Sequence, residues 1–463
     1  MSYLFKTNII KTLSDTHTPV QVYYKIRDKY PNSLLLESSE YKSKENSYSY
    51  ICLNPIAHFV AHQDKTTITY PDSKQEVHTT ASISVTQELQ SFIAKFQSDK
   101  LAYDFITNGL FGYTSYDAIP LFEDITFKRT SQEIPLIQYQ LFKNIIVFDH
   151  YYNTLYLIEH TLNEEPSTLN SLQDIISNRS VATFPFTTIN ETSSNYSNDE
   201  FLDLIKKGMQ HCYQGDVFQL VLSRKFQQAF QGDEFIVYRA LRAVNPSPYL
   251  FYFDYGSFKI FGSSPEAQLT IKNQKAYINP IAGTFKRSGN AETDEALSIQ
   301  LSQDPKENAE HIMLVDLARN DLSKNSSKVT VDSLKKIEMY SHVIHLVSKV
   351  SASLPNDYNP IQILGDTYPA GTLSGSPKYE AMKLIDRYEN EARGFYGGSV
   401  GFIGLDKSFN HAIFIRSFLS RNNILEYQAG CGIVAKSNPQ SELEEVNNKV
   451  SALQKALILA NTI

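Results

Sequence analysis

Strand-like runs crowd both halves of this chain, and nothing separates them into a regular strand–helix–strand rhythm. In the first half SLLLESS, YSYICL, TTITY, GLFGYTSYD, KNIIVFD and NTLYLIEH are rich in Tyr, Ile and Thr and are bounded by Asp, Asn, Ser or Gly, as antiparallel strands tend to be. VFQLVLSRKF, LFYFDY, FKIFGSS, AQLTIK and KAYINPI continue the pattern in the second half. Parallel sheets need helical crossovers between successive strands, and that alternation is missing. The pattern predicts an α+β fold with large antiparallel sheets.

Helix signals are fewer and clear. QELQSFIAKFQSD reads as a helix among the first-half strands. Ser197 and Glu200 form a Ser-x-x-Glu capping box, Phe201, Ile205, Met209 and Cys212 follow at helical spacing, and Gly215 can end the helix. A helix from Asp233 to about Val244 precedes the turn NPSPY. Asp304 to Glu307, with Pro305 at the first helical position, starts another that runs to about Leu322. Ser441 to Glu444 is expected to start the last one, with Leu443, Val446, Val450, Leu453 and Leu457 as its apolar stripe. A polar stretch, from Glu164-Glu165-Pro166 to ETSSNYSN, holds a short amphipathic piece and reads as a connection. The expected organisation is residues 1–160, a connecting segment 161–196, and residues 197–463.

Composition closes several other classes. Lys plus Arg is 43 and Asp plus Glu is 50, a net charge of −7, which argues against nucleic acid as the main partner. No stretch is apolar enough for a transmembrane helix, and MSYLFKTNIIKTLSDTH lacks the apolar core of a secretory signal. The three cysteines, Cys52, Cys212 and Cys431, are too scattered for a disulfide framework or a thiolate zinc site. These features predict a cytoplasmic protein. There are 29 Tyr and 27 Phe but no Trp.

Some motifs mislead. Gly430 to Ala435 matches GxGxxA, but the next helix begins too late for a phosphate to rest on its N-terminus. Cys431 has no His following it and reads as a small core residue. The acids are more informative. Glu307 and Glu310 lie three apart on one helix, and Glu442 and Glu445 on another, so each pair shares a face. Carboxylates suit Mg²⁺, but Glu307 sits at a capping position, and Glu442 and Glu445 lie in a first turn where the helix dipole favours acids. Spacing leaves both readings open. PAGTLSGSPK and GFYGGSVGFIG can bring backbone N–H groups close to an anion or can be tight turns. Lys378, Arg393, Arg416 and Lys449 add positive charge to the same half, enough for a small, multiply anionic ligand. His345 lies in the apolar run YSHVIHLVSKV, where a lone histidine is more often packed than catalytic.

GDVFQLVLSR, NPSPYLFYF, GSSPEAQL, NPIAGTFKR, DPKENAEHIMLVDLARNDL, YSHVIHLVSKV, YPAGTLSGSPKYEAM, GFYGGSVGFIG and QAGCGIVAKSNPQSELEEVNNK follow one another in order. Together they resemble the chorismate-binding enzymes, strongly from Tyr196 to Ile458 and more weakly before it through LLLESS, YSYICLNPIAHF and GYTSYD. The resemblance implies two large antiparallel β-sheets packed in a sandwich with helices on the outer faces. It also implies chorismate as substrate and Mg²⁺ as cofactor. Glu310 and Glu445 match metal-binding carboxylates, with Glu307 and Glu442 supporting. Glu266 matches the acid that protonates a departing ring hydroxyl, which needs a raised pKa. His345 matches the histidine beside that leaving group. Gly283, Thr284, Thr372, Tyr396, Arg416, Gly432 and Lys449 match substrate-binding positions.

Two positions separate the relatives. Members that add water carry a lysine where this chain has Gln219, and an amide is no general base. Aminodeoxychorismate synthases commonly carry a nucleophilic lysine where this chain has Ala282. Both point to the anthranilate-forming branch, in which ammonia displaces the hydroxyl and pyruvate is eliminated. The alternatives are aminodeoxychorismate formation and an inactive chorismate- or tryptophan-binding module. None of the three cysteines has the setting of an amidotransferase nucleophile, so the resemblance implies a separate glutamine amidotransferase subunit as partner. LLLESS resembles a feedback site at which Glu37 and Ser38 would meet tryptophan, with Pro248, Tyr249 and Leu250 against the indole.

Overall fold

The computed structural model describes residues 2–38, 47–162, 165–339 and 343–463, and of Thr284 the backbone alone. Its framework is antiparallel, as expected. One sheet runs through strands Tyr3–Leu13, Thr154–Thr161, Ile137–Asp149, Tyr48–Ala61, Leu34–Glu37, Tyr249–Asp254, Lys259–Ser264, Ser417–Arg421, Ile424–Ile433, Gln219–Gly232 and Phe186–Ser194. A second branches from the first part of Ile137–Asp149. It continues through Gly109–Thr114, Ser399–Gly404, Phe409–Ile413, Ala267–Lys272, Lys275–Ile278 and Val343–Ser353. Ile281–Lys286 and Lys328–Met339 also pair with Val343–Ser353. Tyr48–Ala61 serves both branches. Its register shifts between Pro55 and Ala57, beside Asn54 at φ 55°, and such an irregularity bends a strand.

Pairing crosses the midpoint of the chain. Leu36 lies opposite Phe251, and Phe111 opposite Phe402. An aromatic core including Tyr50, Phe111, Phe142, Phe251, Phe253 and Phe414 draws on strands of both branches. Two further cores carry the helices. Val85–Ala94, Pro305–Ser323 and Pro360–Thr367 contribute to one with Leu269, Ile271 and Val350. Asn198–Gln214, Phe235–Val244 and Pro439–Ala460 contribute to the other with Leu220, Leu222 and Ile433. With no Trp in the chain, buried Phe and Tyr supply the large rings of these cores.

The Ser197–Glu200 capping box forms in full, and Gly215 ends its helix at φ 86°. One other start signal is corrected, and a second is borne out with only half of its capping box. The last helix begins at Pro439, capped by Asn438, which accepts from the N–H groups of Gln440 and Ser441. Ser441 is therefore inside the helix, because the Asn-Pro pair upstream supplies a better cap. At the other start, Asp304 accepts from Lys306 and Glu307 N–H, while its own N–H bonds Leu301 O. No reciprocal bond from Glu307 forms, so that carboxylate is not consumed by capping. The connecting segment holds a helix, Leu169–Asn178, and also the strand Phe186–Ser194.

Candidate active site

Two sheet-to-sheet crossings bring the key side chains together. Lys259–Ser264 belongs to one branch and Ala267–Lys272 to the other, and Glu266 lies in the short link between them. Phe409–Ile413 and Ser417–Arg421 are related in the same way, with Arg416 in their link at φ 50°. Ile413 N–H bonds Glu266 O and Ser263 N–H bonds Arg416 O, so the two links are stitched side by side. Burial pushes the Glu266 carboxyl up to about 7, opposed by the Thr372 hydroxyl and the charges of Lys449 and Arg416. Thr372 Oγ1 donates to Glu266 Oε1 at 3.1 Å.

The Arg416 guanidinium has no ion pair among the described residues, and its one hydrogen bond there, from Nη1 to Asn245 Oδ1, is 3.4 Å long. Burial lowers its pKa and Glu266 raises it, but a guanidinium stays charged in proteins. A buried, under-used guanidinium fork suits a carboxylate ligand. Tyr396 is buried, and its hydroxyl lies against Gly430.

His345 stands on Val343–Ser353 opposite Thr284. The register shifts between Ala282 and Thr284, and Gly283 there takes φ 68°. Its carbonyl accepts from His345 Nδ1 at 3.0 Å. A carbonyl only accepts, so Nδ1 carries the hydrogen and Nε2 the lone pair. Burial lowers the His345 pKa, and Arg416 lowers it further. A side chain at position 283 would meet Leu301 Cδ1 at 2.8 Å and Glu307 Oε2 at 3.1 Å, so the bulge that holds His345 also touches the acidic helix.

The acids form a group of their own. Glu310 is raised by burial, then by Glu307 and Glu445; Glu307 and Glu442 are raised by burial and by acids of the same group. Gln219 Nε2 donates to Glu310 Oε1 at 3.3 Å. That amide fills the space where a Cβ on Gly432 would sit, 2.6 Å away. Lys449 Nζ pairs with Glu445 Oε1 at 2.7 Å and donates to Gly430 O at 2.9 Å. Among the described residues no three His, Cys, Asp or Glu side chains form a ready-made metal cluster. Mutually repelling carboxylates from two helices nevertheless fit Mg²⁺, which commonly takes one or two carboxylates and completes its shell with water and substrate oxygens.

Two of the basic residues are elsewhere engaged. Lys378 Nζ donates to Asp321 Oδ2, Thr367 O and Pro369 O. Arg393 is spent on Glu389, Leu373 O and Val221 O. Both are structural, because each is buried with its donors already matched. Asn245, which touches Arg416, was not singled out from the sequence; it stood there only as part of a turn. The GxGxxA run lies on the strand Ile424–Ile433, and Cys431 is a free, buried thiol raised by burial.

The Leu34–Glu37 strand lies beside Tyr249–Asp254, with Glu37 opposite Leu250. Tyr238 donates to Glu37 Oε1 at 2.6 Å, and Arg242 Nε lies 3.2 Å from the same oxygen. Glu37 Oε2 is buried without a hydrogen-bond partner among the described residues. Ser38 is buried, and its N–H donates to Ser49 Oγ at 3.4 Å. Pro248 and Tyr249 are half-buried. Residues 39–46 after this strand lie outside the described residues.

The chain belongs to the chorismate binding enzyme family, whose model matches residues 33–455. Within that family it is similar to anthranilate synthase component 1 of Aquifex aeolicus, 35% identical over 97% of this chain and 94% of the relative. It is equally similar to the Bacillus subtilis protein of that name, 35% identical over 98% and 92%. The crystal structure of anthranilate synthase component I from Streptococcus pneumoniae superposes with a TM-score of 0.74 at 28% identity, covering 96% of this chain and 100% of that one.

Proposed function

We propose that this chain is the aminase subunit of an anthranilate synthase, converting chorismate and ammonia into anthranilate, pyruvate and water. The observation that carries the reading is Glu266, a buried carboxyl with its pKa pushed up to about 7, which feels the charge of Arg416, a guanidinium with no ion pair among the described residues. Arg416 takes the enolpyruvyl carboxylate in a forked contact. Gly283, Thr284, Thr372, Tyr396, Gly432 and Lys449 hold the rest of the substrate. Glu266 gives its proton to the ring hydroxyl as the C–O bond breaks, and ammonia forms the new C–N bond. Neutral His345 lies on the leaving-group side. Gln219 cannot activate water and Ala282 cannot attack the ring, so free ammonia is the nucleophile. Glu310 and Glu445, supported by Glu307 and Glu442, would hold Mg²⁺; when bound, the ion anchors the ring carboxylate and offsets negative charge as the hydroxyl leaves.

The partner follows from the cysteines. Cys52, Cys212 and Cys431 are buried, and burial raises each thiol, so none is suited to release ammonia from glutamine. A glutamine amidotransferase subunit supplies it. Within the described residues no helix is long and apolar enough to cross a membrane, and a cytoplasmic setting completes the reading. Purified chain given chorismate, Mg²⁺ and ammonium is expected to form fluorescent anthranilate and pyruvate, and to be inactive when glutamine replaces ammonium. Isochorismate, or aminodeoxychorismate that persists, overturns the product assignment.

Residues 1–160 are assigned to feedback control and 197–463 to chemistry. Tryptophan would place its ammonium on Glu37 and Ser38 and its indole on Pro248, Tyr249 and Leu250. Glu37 is bonded to the Phe235–Val244 helix through Tyr238 and Arg242, and the residue after that helix, Asn245, touches Arg416. Tryptophan and chorismate should therefore oppose each other through one coupling free energy. The chain contains no Trp, so all indole emission reports the ligand. Titrating tryptophan should shift its emission, and Glu37→Gln should weaken binding by about tenfold or more, ~1.4 kcal/mol or above. An unshifted emission removes the site.

A further inference from the structure

A half-open cleft with about 30 Å³ of room for water borders Glu266 and Thr372 but none of Arg416, His345, Tyr396, Glu307 or Glu310. Much of its lining is apolar, including Leu314, Leu317 and Ala370, and its polar members include Gln268 and Asp321. Gln268 Oε1 and Asp321 Oδ1 are both buried without a hydrogen-bond partner among the described residues. Neither can turn to find one. Gln268 Nε2 donates to Thr367 O at 3.1 Å, and since that carbonyl only accepts, the amide orientation is set. Asp321 Oδ2 is held by Lys378 Nζ at 2.8 Å, and Lys378 also donates to Thr367 O. Lys378 thus serves as the anchor of this network. Two orphaned acceptors beside a cleft of this size call for water, one molecule of which needs roughly 10–15 Å³ of such room.

The chemistry supplies the need. This step rests on the reading of Glu266 as the acid of an anthranilate-forming site. Each turnover moves one proton from the Glu266 carboxyl to the leaving hydroxyl, which departs as water, and leaves a carboxylate. The proton lost by the newly bonded nitrogen goes to solvent, so Glu266 must regain one before the next cycle. We propose that this cleft holds water that returns the proton to Glu266, with Gln268 and Asp321 as positioning residues for it. Solvent protons enter on the Leu317 and Gly371 side, where the lining is half-buried.

Rapid mixing of the purified chain with chorismate, Mg²⁺ and excess ammonium tests this. Gln268→Met removes the acceptor, while Thr367 O keeps its bond from Lys378. Leu317→Phe narrows the cleft from a half-buried helix position, which keeps the test open if the first variant does not fold. Below pH 7, where Glu266 starts protonated, each variant is expected to complete its first turnover at the wild-type rate and then to cycle about tenfold more slowly. The solvent deuterium effect on the slow phase should exceed that of wild type, with KM for chorismate unchanged. A merely structural role would slow the first turnover equally, and that result overturns the proposal, as does linear wild-type turnover by both variants. A wild-type chain that makes no anthranilate sinks the functional reading together with this one; an active wild type with burst-free variants sinks only the proton path.

Discussion

Glu266→Gln is expected to lower kcat for anthranilate formation by about a thousandfold, within the roughly 10²–10⁴ that a positioned general acid contributes. Gln keeps the shape and can still bond Thr372, but it has no proton to give. Chorismate binding should survive, so the loss falls on kcat more than on KM. The wild-type pH profile carries the same signature. Only protonated Glu266 is active, and its pKa is pushed up to about 7 by burial. Rates corrected for free ammonia should therefore fall tenfold per pH unit above about 7. Stability follows the same direction. The ordinary carboxyl value is 4.5 and the folded value about 7, so between them the unfolded chain binds fewer protons and stability declines as pH rises. Gln removes that penalty. Glu266→Gln should match wild type in thermal midpoint near pH 4 and exceed it near pH 8, flanking the window set by those two values. A variant that loses both activity and alkaline stability would place Glu266 in the framework instead.

Arg416→Ala should lower kcat/KM for chorismate by about 10²–10³, the ~3–4 kcal/mol expected for a forked pair of charge-assisted hydrogen bonds. The loss should be largely in KM, since the enolpyruvyl carboxylate is present in substrate and transition state alike. Arg416→Lys keeps the charge without the fork and should recover only part of the binding. The two variants separate a second role. Arg416 lowers the Glu266 pKa, so Ala should move the limb near pH 7 upward, while Lys should leave it nearly in place. Unchanged KM in Arg416→Ala would exclude the carboxylate contact.

Much of the architecture was legible because it is local. The Ser197 capping box, the Gly215 stop and the strand-like runs are written in neighbouring residues, and the structure realises them. The errors were local as well. Ser441 lost its cap role to the Asn438-Pro439 pair, and Asp304 capped its helix without help from Glu307. Among the site residues, charge and residue type were visible but employment was not. Lys378, Arg393 and Arg416 looked alike as basic residues near glycine-rich segments. In the fold, the first two have their donors matched by buried acceptors, and Arg416 alone keeps a nearly free fork.

The sequence by itself determined the antiparallel character, the bounds of the helices Asn198–Gln214, Phe235–Val244 and Pro305–Ser323, the family, and the two side chains, Gln219 and Ala282, that exclude a water-activating base and a ring-attacking nucleophile. The first two follow from residue identity and short-range periodicity; the family and the meaning of Gln219 and Ala282 follow from the resemblance of a long series of segments to known relatives. Only the tertiary structure decided that Glu266 is held near pH 7, that His345 is anchored by the Gly283 bulge, and that Glu37 connects through one helix to Asn245 and Arg416. Each of these depends on burial and on contacts between residues far apart along the chain. A carboxyl's pKa is set by the water it has lost and the charges it faces, and both exist only once the sheets have closed around it.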